Sequence, residues 1–243
     1  VTVLLDPPTG RPIAVLNATT LTDLRTGASA AVATRALAQK KKGTLGIIGS
    51  GRQANSGIRA IPLVFEPEEV LVWSRTRSNA ERFAKNHSHL PVRVSDIETV
   101  AGADVLLTVT PSKVPLIKDK WISDGAHINA IGADAPGKQE IDPDILQRAF
   151  VIVDDMDQAT HSGEVNMPIQ KGIYSPSRIA GTLGEVLTGA VRRPSSDEIT
   201  VFDSTGLSIM DLAAAHLAIG KGKVIDLPFL ENTDMYEGPG VRE

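Results

Sequence analysis

Short, nearly unbroken apolar runs alternate with stretches of helical composition through most of this chain. From residue 45 onward the runs fall at 45–48, 70–73, 92–94, 104–110, 127–132 and 150–154. Strands that lack polar alternation are covered on both faces, so the pattern predicts a parallel sheet with helices on either side. Six strands fit a doubly wound nucleotide fold. Local signals place the helices between them: Ser78-Asn79-Ala80-Glu81 has the spacing of a capping box, another helix starts near Asp96, and Asp142-Pro143 combines a cap with a first-turn proline. Ahead of the sheet, residues 1–5 and 13–17 flank Asp6-Pro7-Pro8-Thr9-Gly10-Arg11-Pro12, which predicts a hairpin. A lone hairpin is marginal, so it is expected to pair with further chain or another subunit. An alanine-rich helix over 22–39 follows, with Lys40, Lys41, Lys42 and Gly43 as its stop signal. After Asp154 the pattern loosens into a second capping box at Thr182-Leu183-Gly184-Glu185, a further strand at 199–202, a helix over 208–219 and a loose polar tail from Asn232.

The first apolar run of the sheet feeds into Gly49-x-Gly51-x-x-Ala54, and a helix-compatible segment continues to Pro62. In a dinucleotide-binding unit the first glycine permits the turn and the second lets the backbone approach a pyrophosphate. A small third residue allows close helix–strand packing, and the helix N-terminus offers N–H groups to the phosphates. A plain βα turn is the competing reading, but a strand before the motif and a helix after it supply the required context.

Composition narrows the classes without naming a function. The 243 residues are 42% hydrophobic and 22% charged with a net charge of -4, so no basic excess points to nucleic acid or an anionic membrane. No apolar run is long enough to span a bilayer and no signal-peptide pattern opens the chain, which sets a cytoplasmic location as the expectation. The absence of cysteine excludes disulfides, thiolate catalysis and cysteine zinc sites. His87-x-His89 reads as a solvated polar loop rather than a metal site, and no metal is expected.

At the end of the second strand, where an acidic residue would hold the ribose of NAD, the chain reads Ser74-Arg75-Thr76-Arg77. Arginines flanked by hydroxyls suit the 2′-phosphate of NADP, so NADP(H) is favoured with NAD(H) as the other option. The bland reading is a pair of exposed helix-entry arginines. Arg52, inside the glycine turn, could add a second positive contact. Gly132-Ala133-Asp134-Ala135-Pro136-Gly137-Lys138 follows the fifth strand and should face the reactive end of a bound cofactor. There Asp134 could shuttle a proton to or from a substrate amine, or simply cap a turn. Arg25, in Leu24-Arg25-Thr26-Gly27, could grip a substrate carboxylate or merely sit on a helix surface.

These motifs, with His127-Ile128-Asn129-Ala130-Ile131-Gly132-Ala133-Asp134-Ala135-Pro136-Gly137-Lys138-Gln139-Glu140 and Phe202-Asp203-Ser204-Thr205-Gly206, resemble the ornithine cyclodeaminase/mu-crystallin family across nearly the whole chain. That wording, with Val153-Asp154-Asp155 and His161-Ser162-Gly163-Glu164, is most similar to archaeal-type alanine dehydrogenase, and Ser74-Arg75-Thr76 is similar to the NADP-binding stretch of ketimine reductases. The resemblance implies an α/β fold: a Rossmann doubly wound parallel sheet (26–205) inserted into a smaller, partly present α+β dimerisation and substrate domain (1–25 plus 206–243). It also implies a likeness of roles: Asp134 as acid/base, Arg25 on the amino-acid carboxylate, and Thr26, Gly49, Gly51, Arg52, Gln53, Ala54, Ser74, Arg75 and Thr76 along the cofactor. Thr110 and Ser112 would border it after the fourth strand, and Ser204, Thr205 and Gly206 would lie close to the nicotinamide. Family members carry a longer N-terminal region, so a chain opening at Val1 without an initiator methionine is expected to be a fragment, with a homodimer completing the sheet.

The implied activity is an NAD(P)H-dependent oxidoreductase acting on the CH–NH2 or C=N group of small amino or imino acids. The alternative is ornithine cyclodeaminase, a lyase that recycles NAD within one turnover and converts ornithine to proline and ammonia. A second alternative is a crystallin-like NADP-binding protein without turnover, against which the presence of Asp134 and Arg25 speaks.

Overall fold

The computed structural model of the protein describes residues 1–193, 197–219 and 221; the tail expected from Asn232 lies outside the described residues. The chain opens with the antiparallel hairpin β1 (Thr2–Leu5) and β2 (Pro12–Leu16), whose turn is closed by Asp6 N donating to Arg11 O at 2.8 Å. Leu4 faces inward onto Leu21 and Ala215, while Val3, Leu5, Ile13 and Val15 are exposed on the other side. Helix α1 (Ala18–Leu37) starts four residues before the expected position because Asn17 caps it, its side chain accepting from Thr19 N. The helix ends at Leu37, where Ala38 turns to extended backbone. Lys41 does serve the last carbonyls, its Nζ donating to Arg35 O at 2.9 Å, but Gly43 is no helix stop; it already lies in β3 (Lys42–Ile48).

From there the chain alternates: α2 (Arg52–Ala60), β4 (Glu66–Trp73), α3 (Arg77–Asn86), β5 (Val92–Val94), α4 (Ile97–Ala101), β6 (Val105–Thr108), β7 (His127–Ala130), α5 (Pro143–Arg148) and β8 (Phe150–Val153). It continues through α6 (Met156–Ser162), α7 (Asn166–Gln170), β9 (Ile179–Thr182), α8 (Leu183–Thr188), β10 (Thr200–Asp203) and α9 (Ser208–Ala218). One sheet holds eight of these strands in the order β5-β4-β3-β6-β7-β10-β8-β9, with every neighbouring pair parallel. The six expected strands and the further one expected at 199–202 all join this sheet, the last as β10 between β7 and β8; the eighth, β9, with its Gly181 and Thr182, carries too little apolar signal to read as a strand.

Both faces of the sheet are buried, which explains the unbroken apolar runs. Ile48, Leu106, Ile128 and Val201 belong to one core cluster, whereas Leu45, Ile47, Val72 and Leu107 belong to the other. Each such side chain contributes about 1.5–3 kcal/mol by leaving water.

Two local expectations are corrected. The capping box expected at Ser78 does not form, because α3 begins at Arg77 behind Thr76, and Glu81 instead pairs with Arg77 across one helical turn at 2.9 Å. His87 is buried rather than solvated: its Nε2 lies 2.8 Å from Asn55 Oδ1 of α2, and burial lowers its pKa. The Thr182–Glu185 capping box is present, with Thr182 N donating to Glu185 Oε2 at 2.8 Å.

Candidate active site

At the carboxyl ends of β3, β4 and β6 lies a cleft of about 400 Å³. Its floor is the glycine turn. Gly49 adopts φ +115° and donates its N–H to Trp73 O at 2.9 Å; a β-carbon there would stand 2.9 Å from Val109 O, so only glycine fits the turn. Gly51 is the N-cap of α2 and makes no side-chain cap, which leaves the first N–H groups of the helix facing outward. A β-carbon on Gly51 would meet nothing within 4 Å, so the backbone opens directly onto free space.

Ser74, Arg75 and Thr76 line one side of this cleft, and Thr110 and Ser112 line the other. Ser50 Oγ donates to Ser74 Oγ at 3.1 Å, fastening the turn to the end of β4. Arg75 makes no ion pair among the described residues, whereas Arg77 is taken up by Glu81. Asn79 and Arg82, joined by Arg82 Nη2 donating to Asn79 Oδ1 at 2.9 Å, also line the cleft. The sequence reading missed both. Their signal was spacing: they lie three residues apart in the first turns of α3, the face that looks back on the strand end.

The other cofactor candidates lie off this lining. Arg52 turns to α1, where Nε and Nη2 meet the Asp23 carboxylate at 3.1 and 3.0 Å and Nη2 donates to Thr19 O at 2.8 Å. Gln53 Nε2 approaches the same carboxylate at 3.4 Å. Ala54 is fully buried in the core, and Thr26 is buried within α1.

Behind the Thr110 wall sits a group of buried carboxyls. Glu140 Oε1 accepts from Thr110 N at 2.6 Å, and Oε2 accepts from Thr108 Oγ1 and Gly132 N, each at 2.8 Å. Burial pushes the Glu140 pKa up to about 7, against the opposing pull of those donors. Glu164 accepts from Glu140 N at 2.8 Å and Ile141 N at 3.2 Å. Burial, then the charges of Glu140 and Asp203, raise Glu164 well above the usual carboxylate range. Asp203 accepts from Val165 N at 3.2 Å, while its Oδ1 has no partner; burial first, aided by Asp154 and Glu140, pushes it up to about 7.

Two further groups are placed by β7 and β10. Asp134, in the loop after β7, is half exposed and ion-paired with Lys138, which pins its side chain. Ser204, Thr205 and Gly206 follow β10 and are gathered by Asp154, which accepts from Ser204 Oγ at 3.0 Å, Thr205 N at 2.9 Å and Gly206 N at 2.6 Å. Arg25 lies against this turn, so that a β-carbon on Gly206 would stand 2.4 Å from its Nη1. Its Nε is 3.4 Å from Asp211 Oδ1, an ion pair that lacks hydrogen-bond alignment. The sequence marked Asp154 as a strand end and as part of a motif of the family resemblance, without a role for its side chain.

The sequence profile of the ornithine cyclodeaminase/mu-crystallin family matches residues 1–221. The chain belongs to this family. It is similar to an alanine dehydrogenase of Archaeoglobus fulgidus, 43% identical over 88% of the chain and 67% of that protein, and to the mouse ketimine reductase mu-crystallin, 38% identical over 88% of the chain and 67% of that protein. Among solved structures, an archaeal alanine dehydrogenase dimer with bound NAD superposes with a TM-score of 0.90 at 41% identity, covering 93% of this chain and 73% of that one. The Thermococcus litoralis Delta(1)-pyrroline-2-carboxylate reductase, in complex with NADH and L-proline, gives a TM-score of 0.85 at 32% identity, covering 89% of this chain and 69% of that one. The Rossmann-type α/β fold expected from the sequence is thus the fold of this family, with dinucleotide-bearing relatives.

The residues present fit a dinucleotide. The open backbone at Gly51, the uncapped start of α2 and the cation and hydroxyls at Ser74-Arg75-Thr76 supply what a pyrophosphate and a ribose require. No helix among the described residues is long and apolar enough to cross a membrane.

Proposed function

We propose that the protein is an NAD(P)H-dependent oxidoreductase acting on the CH–NH2 or C=N group of small amino or imino acids, with NADP(H) the preferred cofactor. The observation that carries the reading is the cleft itself, where an open glycine turn meets a strand end bearing Arg75 and two hydroxyls and no carboxylate. An aspartate at that strand end would repel a 2′-phosphate; Arg75, with Arg82 of α3 lining the same cleft, attracts it. The names of the relatives support the reaction class, since they include an amino-acid dehydrogenase and two imine reductases.

Gly49, Gly51 and the start of α2 would hold the pyrophosphate, Ser74, Arg75 and Thr76 the adenosine ribose, and Thr110, Ser112 and the Ser204-Thr205-Gly206 turn the nicotinamide end. Ala54 serves by letting α2 pack on the sheet, while Arg52, Gln53 and Thr26 act through the α1–α2 contact at Asp23. When bound, the nicotinamide supplies or takes up a hydride at the substrate carbon. Asp134 holds the proton that joins or leaves the substrate nitrogen, and Lys138 keeps its carboxylate in place. Arg25, braced by Asp211, takes the substrate carboxylate. In the direction of amine formation a 2-oxo acid and ammonia lose water to give an imine, which then gains one hydride and one proton. Residues 26–205 form the nucleotide-binding unit, and 1–25 with 206–243 belong to a smaller dimerisation unit. The exposed Val3, Leu5, Ile13 and Val15 face is its contact with further sheet in a homodimer.

The test is nicotinamide absorbance with NADPH or NADH, ammonia and a panel of 2-oxo acids and cyclic imines, run on the natural-length protein and on Asp134→Asn. The expected result is net NADPH oxidation that the variant loses by about 10²–10⁴-fold. Proline and ammonia formed from ornithine with catalytic NAD and no net absorbance change would assign the lyase reaction instead. Tight NADPH binding without turnover of any imino acid would leave a binding protein.

A further inference from the structure

Glu140 takes no part in the chemistry above, yet its fully buried carboxyl accepts three hydrogen bonds behind the cleft. Its three donors come from two separate segments: Thr108 ends β6 and Thr110, two residues on, lines the cleft, while Gly132 opens the loop that carries Asp134. The contact is close enough that a β-carbon on Gly132 would stand 2.2 Å from Glu140 Oε2 and 2.3 Å from Thr110 O. Glu164 in turn holds Glu140 N and Ile141 N, so the backbone from which the side chain reaches is itself fixed. The charged or titratable groups facing Glu140 are Glu164, ahead of α7, and Asp203, at the end of β10. Neither is a cation, so an ion pair does not explain why a carboxyl occupies this place.

We propose that Glu140 is a positioning residue, which ties the cleft wall at Thr110 to the Asp134 loop at Gly132 and so sets the spacing between the bound cofactor and the proton-transfer group. The proposal rests on the assignment of Asp134 as acid/base. Its chemical logic is that both backbone N–H groups need acceptors and the Thr108 hydroxyl can play either part. An ionised Glu140 accepts all three bonds. A protonated one still accepts both N–H groups if its O–H donates to a reversed Thr108 hydroxyl. The tie therefore survives titration near neutral pH. A glutamine cannot reproduce it, because its amide NH2 must face one of the two backbone donors.

The experiment compares wild type, Glu140→Gln and Thr108→Val in the natural-length protein by amide hydrogen exchange, turnover and nicotinamide binding, the last read by energy transfer from Trp73, which lines the cleft. In Glu140→Gln, exchange should rise together in the segments around Thr110 and Gly132, and kcat should fall about 10- to 100-fold with cofactor affinity held within about threefold. Thr108→Val lacks the reversible hydroxyl, so its turnover should match wild type well above pH 7 and drop as pH falls through Glu140's titration. Unchanged exchange in both loops, or an unchanged kcat in a folded Glu140→Gln, overturns the proposal. So does a kcat loss matched by an equal loss of cofactor binding. Should Glu140→Gln fail to fold, an acid-insensitive Thr108→Val overturns it equally. If Asp134→Asn keeps full activity, it is the acid/base assignment that has failed, and the exchange data still report whether the tie exists.

Discussion

The cleft draws most of its lining from residues 49–51, 73–76 and 109–112, each set lying at the end of a single strand, with Asn79 and Arg82 added from α3, and it opens to solvent. The carboxyl cluster behind it draws Glu140, Glu164 and Asp203 from separate segments, and all three are fully buried. The first region is a surface open to a partner, and apart from Gly49, whose turn admits only glycine, its side chains can be changed with little harm to the core. The second is a closed structure whose members bond one another's backbones, so a change there is felt by the fold before it is felt by chemistry.

Two glycines expose this contrast most sharply. Gly132→Ala would drive a β-carbon into Glu140 Oε2 and Thr110 O, a rigid pair with no room to retreat. It should destabilise the protein by about 3 kcal/mol, visible in urea unfolding, and depress activity along with it. Gly51→Ala places its β-carbon in open space at φ -85°, which alanine tolerates. Stability should stay within about 0.5 kcal/mol of wild type, while NADPH affinity falls at least about tenfold because the methyl group occupies the phosphate approach. Equal unfolding midpoints for the two variants would remove the distinction between the regions.

The same division decides what could be read from the sequence. Gly49, Gly51, Ser74 and Arg75 announce themselves because the motif and its strand–turn–helix context are local, and the structure gathers them in one cleft. The parallel sheet was legible for the same reason, since burial on both faces leaves unbroken apolar runs. What escaped was whatever depends on contacts distant along the chain. β10 enters the sheet between β7 and β8, and no local signal reports that insertion. Asp154, a strand-end residue in the sequence, gathers the Ser204–Gly206 turn from fifty residues away. Glu140 and Glu164 stand in motifs that carry the family resemblance, but nothing local in the sequence shows that the fold buries them together. Arg52 shows the converse: its place in the glycine turn suggests a phosphate contact, but the neighbouring helix α1 offers Asp23 and Thr19 O, and the guanidinium goes there.

The buried cluster also has a pH signature. Asp203 and Glu140 titrate at about 7 in the fold, above their ordinary values of 3.8 and 4.5, so the native state binds more protons than the unfolded chain between those limits. Their contribution to stability is fully present below about pH 4 and is lost as pH rises through about 7. Urea unfolding from pH 4.5 to 8.5 should therefore show stability falling with rising pH. Asp203→Asn should flatten that slope by on the order of 3 kcal/mol across the range. A stability that climbs with pH would mean the cluster is ionised and paired in a way the geometry does not provide.

On the cleft side, charge decides cofactor choice. Arg75→Ala should weaken NADPH binding by about 10- to 100-fold with little effect on NADH, as expected for loss of one charge-assisted contact of roughly 1.5–3 kcal/mol. Ser74→Asp should move preference the same way by repelling the 2′-phosphate, and Arg82→Ala should show a smaller version of the Arg75 effect. Isothermal titration with both nucleotides separates these outcomes. Parallel losses for NADH and NADPH would place Arg75 on the pyrophosphate and leave the 2′-phosphate without its partner.

Arg52 gives the smallest expected effect and tests the boundary between the two kinds of region. Its side chain is 60% exposed, and its pairing with Asp23, 26% exposed, is a surface contact in spite of the favourable two-pronged geometry. Solvent screening limits such a pair to about 0.5 kcal/mol, so Arg52→Ala should barely move the unfolding midpoint. Because the guanidinium faces α1 and not the cleft, NADPH affinity should also stay within about twofold, the level expected when no contact to the phosphates is lost. A tenfold loss of affinity at unchanged stability would show that the arginine leaves Asp23 and swings onto the phosphates when the nucleotide arrives. In that case the cleft's lining is completed by its ligand, and the glycine turn's own arginine belongs to the cofactor after all.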